Sequence, residues 1–251
     1  MFIKLSDHAK LHYLCIGSGE TLILVAGAFC NLHLWSNMVS ELSQHFQVIY
    51  YDNRGIGHSD ITSENYTIDL LSRDLLDLAN ALKLKKFHLA GHSMGGFVAQ
   101  YFAAQYAERL HSLSLCSSLL QITSLGMHYL EKMEQDLKNH PDAVMAELKF
   151  IDKEKQAPEV LLKQILLCKE HDSSHYISKI LTPAQIIYGS AEEVVTAEEA
   201  KRLGDSIKTT QNIVELESNH FPQSACPGAF ATVLRDFAKM HQTDNVSKLL
   251  K

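Results

Sequence analysis

The sequence predicts an α/β protein with a mostly parallel central sheet, helices on both faces and a small helical segment inserted after the sixth strand. Short, nearly continuous apolar runs are typical of strands buried on both faces of a parallel sheet. The runs of this kind are residues 21–25, 48–51, 87–90, 113–116 and 185–188. Helical patterns separate these runs, as crossover connections between parallel strands require. After residue 116 this alternation stops, and it resumes only at residue 183.

The remaining core elements follow from local spacing, in chain order. Residues 2–5 and 10–16 alternate apolar and polar positions, which predicts an antiparallel ribbon at the sheet edge. Residues 68–82 carry apolar side chains at intervals of three and four, which predicts an amphipathic helix. Residues 213–216 are expected to form the last strand, and residues 225–240 a closing helix.

The long interval without strand signals is expected to be a lid. Met127, Leu130 and Met133 recur there at helical spacing. Because long structureless loops are uncommon in compact domains, we expect three or four short helices. The predicted organisation is therefore a core of residues 1–118 and 182–251, with a helical lid inserted at residues 119–181.

Composition excludes several classes of protein. A chain of 251 residues with 46% hydrophobic content is expected to form one compact unit. A net charge of −6 and a pI near 6.1 argue against nucleic-acid partners and anionic membrane surfaces. The five cysteines are odd in number and form no Cys-x-x-Cys pair, which favours a reducing cytoplasm. The longest uncharged apolar run, residues 22–29, is too short to cross a bilayer, and residues 1–8 include an acidic residue and no apolar run, so we expect a soluble protein that is not exported.

One pentapeptide carries the strongest chemical signal. Gly91-His92-Ser93-Met94-Gly95 follows an apolar strand and precedes a helical pattern. Glycines on both sides permit a tight, strained turn from which the serine hydroxyl projects. This arrangement is typical of a nucleophilic serine. The alternative is that Ser93 only caps the following helix, since serine is also a preferred N-cap residue.

A nucleophilic serine needs a base, and the base needs a third group that fixes its tautomer. His220 is the candidate base because it follows the last predicted strand in a predicted loop. The acid is expected in the loop after residues 185–188, which contains Glu192 and Glu193 and no aspartate. We choose Glu192 because Glu193 is expected to face water. The alternative is that both glutamates simply solvate a loop.

Catalysis also needs donors for the developing oxyanion. The backbone N–H of Met94, at the helix start, is one expected donor, and that of Ala28, in a glycine-bent turn, is the other. Phe29 and Trp35 are predicted to wall the substrate pocket, although an aromatic residue near a loop is more often plain core. His92 is predicted to pack beside the site or to line it as a substrate-binding residue.

Two further motifs predict neither a cofactor nor a metal site. Residues 52–59 form a glycine-bent loop without the third glycine of a dinucleotide-binding turn, so Asp52 and Arg54 are assigned a scaffold role. His171 and His175 are four residues apart, as in some metal sites. The serines between them make a poor helix, and no third ligand is nearby.

Taken together, these motifs resemble the α/β-hydrolase superfamily over all of the chain except the lid. The matching stretches are residues 26–35, 51–59, 91–96, 183–196 and 219–222. The chain is similar to small-lid carboxylesterases, such as pimeloyl-carrier-protein methyl esterases and 3-oxoadipate enol-lactonases, and to carbon–carbon bond hydrolases. The resemblance implies the α/β-hydrolase fold and a triad of Ser93, Glu192 and His220. The family usually has histidine in place of Ala26 and aspartate in place of Glu192.

We therefore expect hydrolysis of a small-molecule carboxylic ester or thioester, free or bound to a carrier protein, through an acyl-enzyme. One alternative is a hydrolase-derived binding protein with little turnover, indicated by Ala26 and Glu192. Another is an acyltransferase or a carbon–carbon hydrolase with the same triad. A carrier protein would favour a basic patch, to which Lys149, Lys153 and Lys155 could contribute. Lysines interspersed with acidic residues are, however, typical of a solvated face.

Overall fold

A central sheet organises the fold. The computed structural model describes residues 1–150 and 156–242. Across these residues the sheet has eight strands: β1 (Phe2–Lys4), β2 (Lys10–Ile16), β3 (Thr21–Val25), β4 (Gln47–Tyr51), β5 (Phe87–His92), β6 (Leu110–Cys116), β7 (Ala184–Gly189) and β8 (Thr210–Leu216). Their spatial order is β1-β2-β4-β3-β5-β6-β7-β8. The pairs β1 with β2 and β2 with β4 are antiparallel, and all later pairs are parallel. This is the mostly parallel sheet with an antiparallel edge ribbon that the sequence predicts.

Helices cover both faces of the sheet. They are α1 (Ser36–Leu42), α2 (Ile68–Ala81), α3 (Met94–Gln105), α4 (Ser124–Asn139), α5 (Pro141–Glu147), α6 (Pro158–Lys169), α7 (Ala197–Ser206), α8 (Pro222–Ala225) and α9 (Pro227–Met240). In β3, Ile23 and Val25 join the apolar cluster that includes α2 and α3, whereas Leu22 and Leu24 join the cluster of α1 and α9. Alternate side chains of a strand point to opposite faces, so this continuous apolar run is buried on both. In the described part of the chain, no helix is long and apolar enough to cross a bilayer.

The helices α4, α5 and α6 lie between β6 and β7, inside the segment where the sequence predicts a lid. An isolated β-bridge between Gln121 and Asp172 joins the two ends of this segment. Gln121 Nε2 also donates a hydrogen bond of 2.8 Å to the Asp172 carboxylate. Two of the three lysines considered as a basic patch, Lys153 and Lys155, lie outside the described residues.

The glycine-bent loop after β4 is a scaffold, as predicted. The Asp52 carboxylate accepts hydrogen bonds from Leu32 N–H at 2.8 Å and from His58 N–H at 3.0 Å. The guanidinium of Arg54, only 2% exposed, pairs in bidentate fashion with the Asp74 carboxylate at 2.9 and 2.5 Å. Removing one partner of a buried pair leaves an uncompensated charge. These contacts therefore hold the loop in one conformation.

The closing helix differs from its predicted bounds of 225–240. The chain forms the short helix α8, breaks at Cys226 and begins α9 at Pro227. Cys226 has φ −144° and ψ 58°, which are not helical angles. Proline lacks an N–H and fits the first position of a helix, so Pro227 starts a new helix instead of continuing the previous one.

Among the described residues, three histidines are buried in the folded protein: His88, His92 and His171. Burial disfavours the charged imidazole, which lowers the pKa of His88 to about 4, that of His92 to about 3 and that of His171 to about 4. In an unfolded chain a histidine titrates near about 6.5. Below that pH the unfolded chain therefore binds protons that the folded protein excludes.

We expect the free energy of unfolding to fall as the pH drops from about 6.5 towards about 4, with a slope of up to about 4 kcal/mol per pH unit if all three histidines contribute. The sign follows because the unfolded state binds more protons, so stability rises with pH in this window. Urea denaturation at several pH values across the window measures the slope. His171→Gln should reduce the slope by about a third, because it removes one of the three protons. A flat or inverted slope would contradict the neutral state of these histidines.

Candidate active site

The turn that carries Ser93 joins β5 to α3. Ser93 has φ 52° and ψ −122°, a region that non-glycine residues rarely occupy. The flanking glycines are a steric requirement: a Cβ on Gly91 would lie 2.3 Å from the Gly95 oxygen, and one on Gly95 would lie 2.2 Å from the Val25 oxygen. The Ser93 side chain makes no capping hydrogen bond to α3. The hydroxyl is therefore not used as a helix cap.

A cavity of about 360 Å³ lies at Ser93. The residues that line it are Ala28, Phe29, Ser93, Phe97, Ser117, Leu119, Ile122, Gly126, Tyr129, Leu130, Cys168, Ala191, Glu192, Glu193, Val194, Val195, Asn219, His220 and Phe221. The segment between β6 and β7 contributes part of this lining, and the turns that follow β3, β5, β6, β7 and β8 contribute most of the rest. Most of the lining is apolar. No lysine or arginine belongs to the lining in the described part of the chain.

His220 and Glu192 meet at the edge of this cavity. His220 Nδ1 is hydrogen-bonded to Glu192 Oε1. The Glu192 side chain is only 2% exposed, whereas Glu193 is exposed. The structure thus places Glu192, and not Glu193, against the imidazole. Because Nδ1 is bonded to Glu192, Nε2 is the ring nitrogen of His220 that can accept a proton.

Ser93 and His220 line the same cavity, although the hydrogen bonds of the described residues do not include one between their side chains. Such contacts are often long in ligand-free enzymes and tighten when substrate binds. Proton transfer requires that Ser93 Oγ and His220 Nε2 approach to about 3 Å.

His92 lies beneath the site and does not line the cavity. Its Nε2–H donates a 2.7 Å hydrogen bond to the backbone carbonyl of His220. The ring is 1% exposed and contacts the Trp35 indole edge to face. Because burial lowers the pKa of His92 to about 3, this imidazole is neutral at physiological pH. His92 therefore positions the backbone of His220 from below.

Trp35, predicted as a pocket wall, lies instead in the core. The indole is fully buried and packs between His92 and Phe230 of α9. Trp35 ends the short 3₁₀-helix Leu32–Trp35, in which Leu32, Leu34 and Trp35 are buried. That helix turns its apolar side chains into the sheet, away from the cavity.

The turn after β3 presents backbone amides near Ser93. Phe29 has φ 61°, lines the cavity as predicted, and donates its N–H to Gln164 Oε1 at 2.8 Å. Among the described residues, the N–H groups of Ala28 and Met94 donate to no protein acceptor. Both amides are therefore available to a ligand.

Sequence reasoning missed Gln164 and the lid side chains of the cavity, such as Tyr129 and Leu130. Their spacing is that of ordinary amphipathic helices, so no local pattern distinguishes them. His171, considered as a metal ligand, stacks on Phe97 with ring centroids 3.6 Å apart. No cluster of three or more metal-binding side chains occurs within the described ranges.

Comparisons with known proteins agree with the predicted fold. The family model described as alpha/beta hydrolase fold matches residues 20–147. The 3-oxoadipate enol-lactonase 1 of Acinetobacter baylyi is 27% identical over 227 residues, which cover 83% of this chain and 85% of that protein. The crystal structure of the enol-lactonase from Burkholderia xenovorans has a TM-score of 0.81 at 25% identity, covering 95% of this chain and 100% of that one.

A second solved structure shows the fold alone. An esterase from Exiguobacterium antarcticum has a TM-score of 0.85 at 19% identity, covering 95% of this chain and 99% of that one. The predicted fold class is confirmed by these matches together with the eight-stranded sheet of the described residues. The family model alone spans half of the chain. The chain therefore belongs to the α/β-hydrolase family.

Proposed function

We propose that this protein is a serine hydrolase that cleaves a carboxylic ester or thioester through an acyl-enzyme intermediate. One observation carries the proposal: Ser93, on a strained turn with φ 52°, lines the same cavity as an imidazole held by the buried carboxylate of Glu192. A serine that is accessible from a cavity, a base and a group that orients the base are together the requirements for nucleophilic catalysis.

In the proposed reaction, Ser93 Oγ attacks the carbonyl carbon of the substrate while its proton passes to His220 Nε2. The carbonyl electrons form an oxyanion, which the N–H groups of Ala28 and Met94 stabilise. The oxyanion collapses and expels the alcohol or thiol, which takes the proton from His220. Water then attacks the acyl-enzyme with the same base and releases the acid. Glu192 holds the proton on Nδ1 and stabilises the imidazolium.

The contact between Glu192 and His220 also supports turnover over simple ligand binding. Substitution of the usual aspartate was one reason to consider a binding protein. The longer glutamate nevertheless reaches Nδ1 from a buried position. A buried carboxylate without a catalytic role would be costly to keep in place. Acyltransfer and carbon–carbon bond cleavage use the same groups, and analysis of the products distinguishes them from hydrolysis.

We further propose a substrate with a neutral acyl group. Phe29, Phe97 and Leu130 give the cavity an apolar lining, and Glu193 adds a carboxylate. A second carboxylate on the acyl chain would meet no compensating cation in the described lining, and an unpaired buried charge is strongly disfavoured.

All five cysteines are free. This supports the proposal of a reducing, cytoplasmic location.

Two matched esters test the proposal. p-Nitrophenyl hexanoate and mono-p-nitrophenyl adipate have the same chain length and differ in one terminal carboxylate. We expect kcat/KM to be at least about 10-fold higher for the hexanoate, because the carboxylate must be desolvated without a partner. A rate for the adipate ester that equals or exceeds the hexanoate rate would contradict the neutral acyl group. Absence of hydrolysis of both esters, together with no labelling of Ser93 by a fluorophosphonate probe, would contradict the hydrolase itself.

A further inference from the structure

A side chain of the lid segment reaches the turn that carries the proposed oxyanion donor. Gln164 lies on α6 and is fully buried. Its Oε1 accepts the N–H of Phe29 at 2.8 Å, across 135 residues of sequence. Since a backbone N–H can only donate, the oxygen of the Gln164 amide must face the turn. The orientation of this side chain is thereby determined.

The bond engages one amide of the turn, that of Phe29, and thereby fixes the peptide next to Ala28. Phe29 has φ 61°, a left-handed conformation that is unfavourable for a large side chain, so an external contact is needed to hold it. With the N–H of Phe29 donated to Gln164, the neighbouring N–H of Ala28 has no protein acceptor among the described residues, and Ala28 lines the cavity whereas Gly27 and Cys30 do not. Other hydrogen bonds hold the ends of the turn: Asn53 Nδ2 donates to the Ala26 carbonyl at 2.9 Å, and beyond Phe29 the N–H of Asn31 donates to the Phe150 carbonyl at 2.5 Å and that of Leu32 to Asp52 at 2.8 Å.

Packing does not explain a glutamine at this position. The Nε2 group of Gln164 is buried and has no hydrogen-bond partner among the described residues. A buried donor without an acceptor destabilises the folded state. Methionine has a similar length and volume and would carry no such penalty. The contact from Oε1 to the turn is what distinguishes glutamine from methionine here.

We propose that Gln164 is a positioning residue that aligns the Ala28 N–H as an oxyanion donor, and that it thereby couples the lid to the reaction. The inference rests on the proposed function. It adds a residue of the lid to the groups on which the transition state depends. Since Gln164 touches the turn and does not line the cavity, its effect should appear in kcat and leave substrate binding unchanged.

The test compares Gln164→Met with Gln156→Met in the full-length protein. Gln156 is the matched control, because it is also buried and also joins this segment to the core, through Nε2 and the Gly55 carbonyl at 2.7 Å, away from the turn. For Gln164→Met we expect kcat for p-nitrophenyl hexanoate to fall by about 10- to 100-fold with KM within about threefold. The inhibition constant of a trifluoromethyl ketone, whose adduct with Ser93 is an oxyanion, should rise by a similar factor.

Gln156→Met should keep kcat within about threefold of the wild type. The melting temperature of Gln164→Met should stay close to that of the wild type, because removal of the unpaired Nε2 offsets the loss of the acceptor for the Phe29 N–H. Amide hydrogen exchange at Phe29 should be slow in the wild type and fast in Gln164→Met, a readout that is independent of activity.

The inference is overturned if Gln164→Met keeps wild-type kcat, if both variants lose kcat equally, or if Phe29 exchanges equally fast in wild type and variant. A wild-type protein that neither hydrolyses the ester nor binds the ketone would instead overturn the proposed function. If such an inactive protein still showed slow amide exchange at Phe29, the hydrogen bond from Phe29 to Gln164 would be established, but its catalytic role would not.

Discussion

Replacing Ser93 by alanine should lower the turnover of p-nitrophenyl hexanoate by about 10⁴-fold or more, because removal of the nucleophile leaves only the oxyanion donors and substrate binding. The change deletes one oxygen atom at a residue whose N–H remains bonded to the Cys116 carbonyl at 2.9 Å. The turn is therefore expected to keep its conformation. Initial rates with excess ester, together with an unchanged melting temperature, measure the effect on chemistry alone.

Ser117 provides the control for this experiment, since its hydroxyl also lines the cavity. The Ser117 backbone has φ 47°, so its strain resembles that of Ser93. The proposed triad assigns neither a base nor an orienting carboxylate to Ser117. A fluorophosphonate probe should label the Ser117→Ala variant and fail to label Ser93→Ala. The opposite pattern would move the nucleophile to Ser117.

Glu192→Gln should lower kcat/KM by about 10²- to 10⁴-fold. An amide in this position can offer its NH₂ group to Nδ1, which favours the tautomer with the proton on Nε2. Nε2 then cannot accept the proton of Ser93. The buried position of Glu192 adds to the effect, because the imidazolium formed in the reaction loses its counter-charge in a site of low polarity. Steady-state kinetics at several pH values measure this loss.

Glu193→Gln is the matched control, with the same chemical change one residue further along the same loop. Glu193 is exposed, so its neutralisation should change kcat/KM by less than about 10-fold. If Glu193→Gln proved the more damaging change, the orienting acid would be Glu193, and the contact between Glu192 and His220 would have no catalytic role.

Local signals explain which parts of the site could be predicted. The turn at Ser93 was recognisable because Gly91 and Gly95 have no room for a Cβ, and such sterics act over a few residues. The order of strands and helices was recognisable for the same reason, since periodicity depends on neighbours. The break before α9 was missed, although Pro227 marks it, because an apolar helical pattern continues across the break.

Trp35 shows the limit of such signals. An aromatic side chain that follows a strand and a turn can face either the cavity or the core, and both environments favour it. Here the 3₁₀-helix at residues 32–35 turns the indole inward, onto His92 and Phe230. That direction depends on the space between α9 and the sheet. No spacing in the sequence encodes it.

The amino-acid sequence alone thus determined the alternation of strands and helices, the interval proposed as a lid, the residues proposed as nucleophile and base, and the loop that carries the acid. Only the tertiary structure decided that Glu192 and not Glu193 meets His220, that His92 supports the His220 backbone from below, and that Gln164 holds the turn at Phe29. The physical reason is the range of each interaction. Turn sterics and periodicity act between neighbours, whereas the contact between Gln164 and Phe29 joins positions 135 residues apart and exists only once the lid is packed onto the sheet.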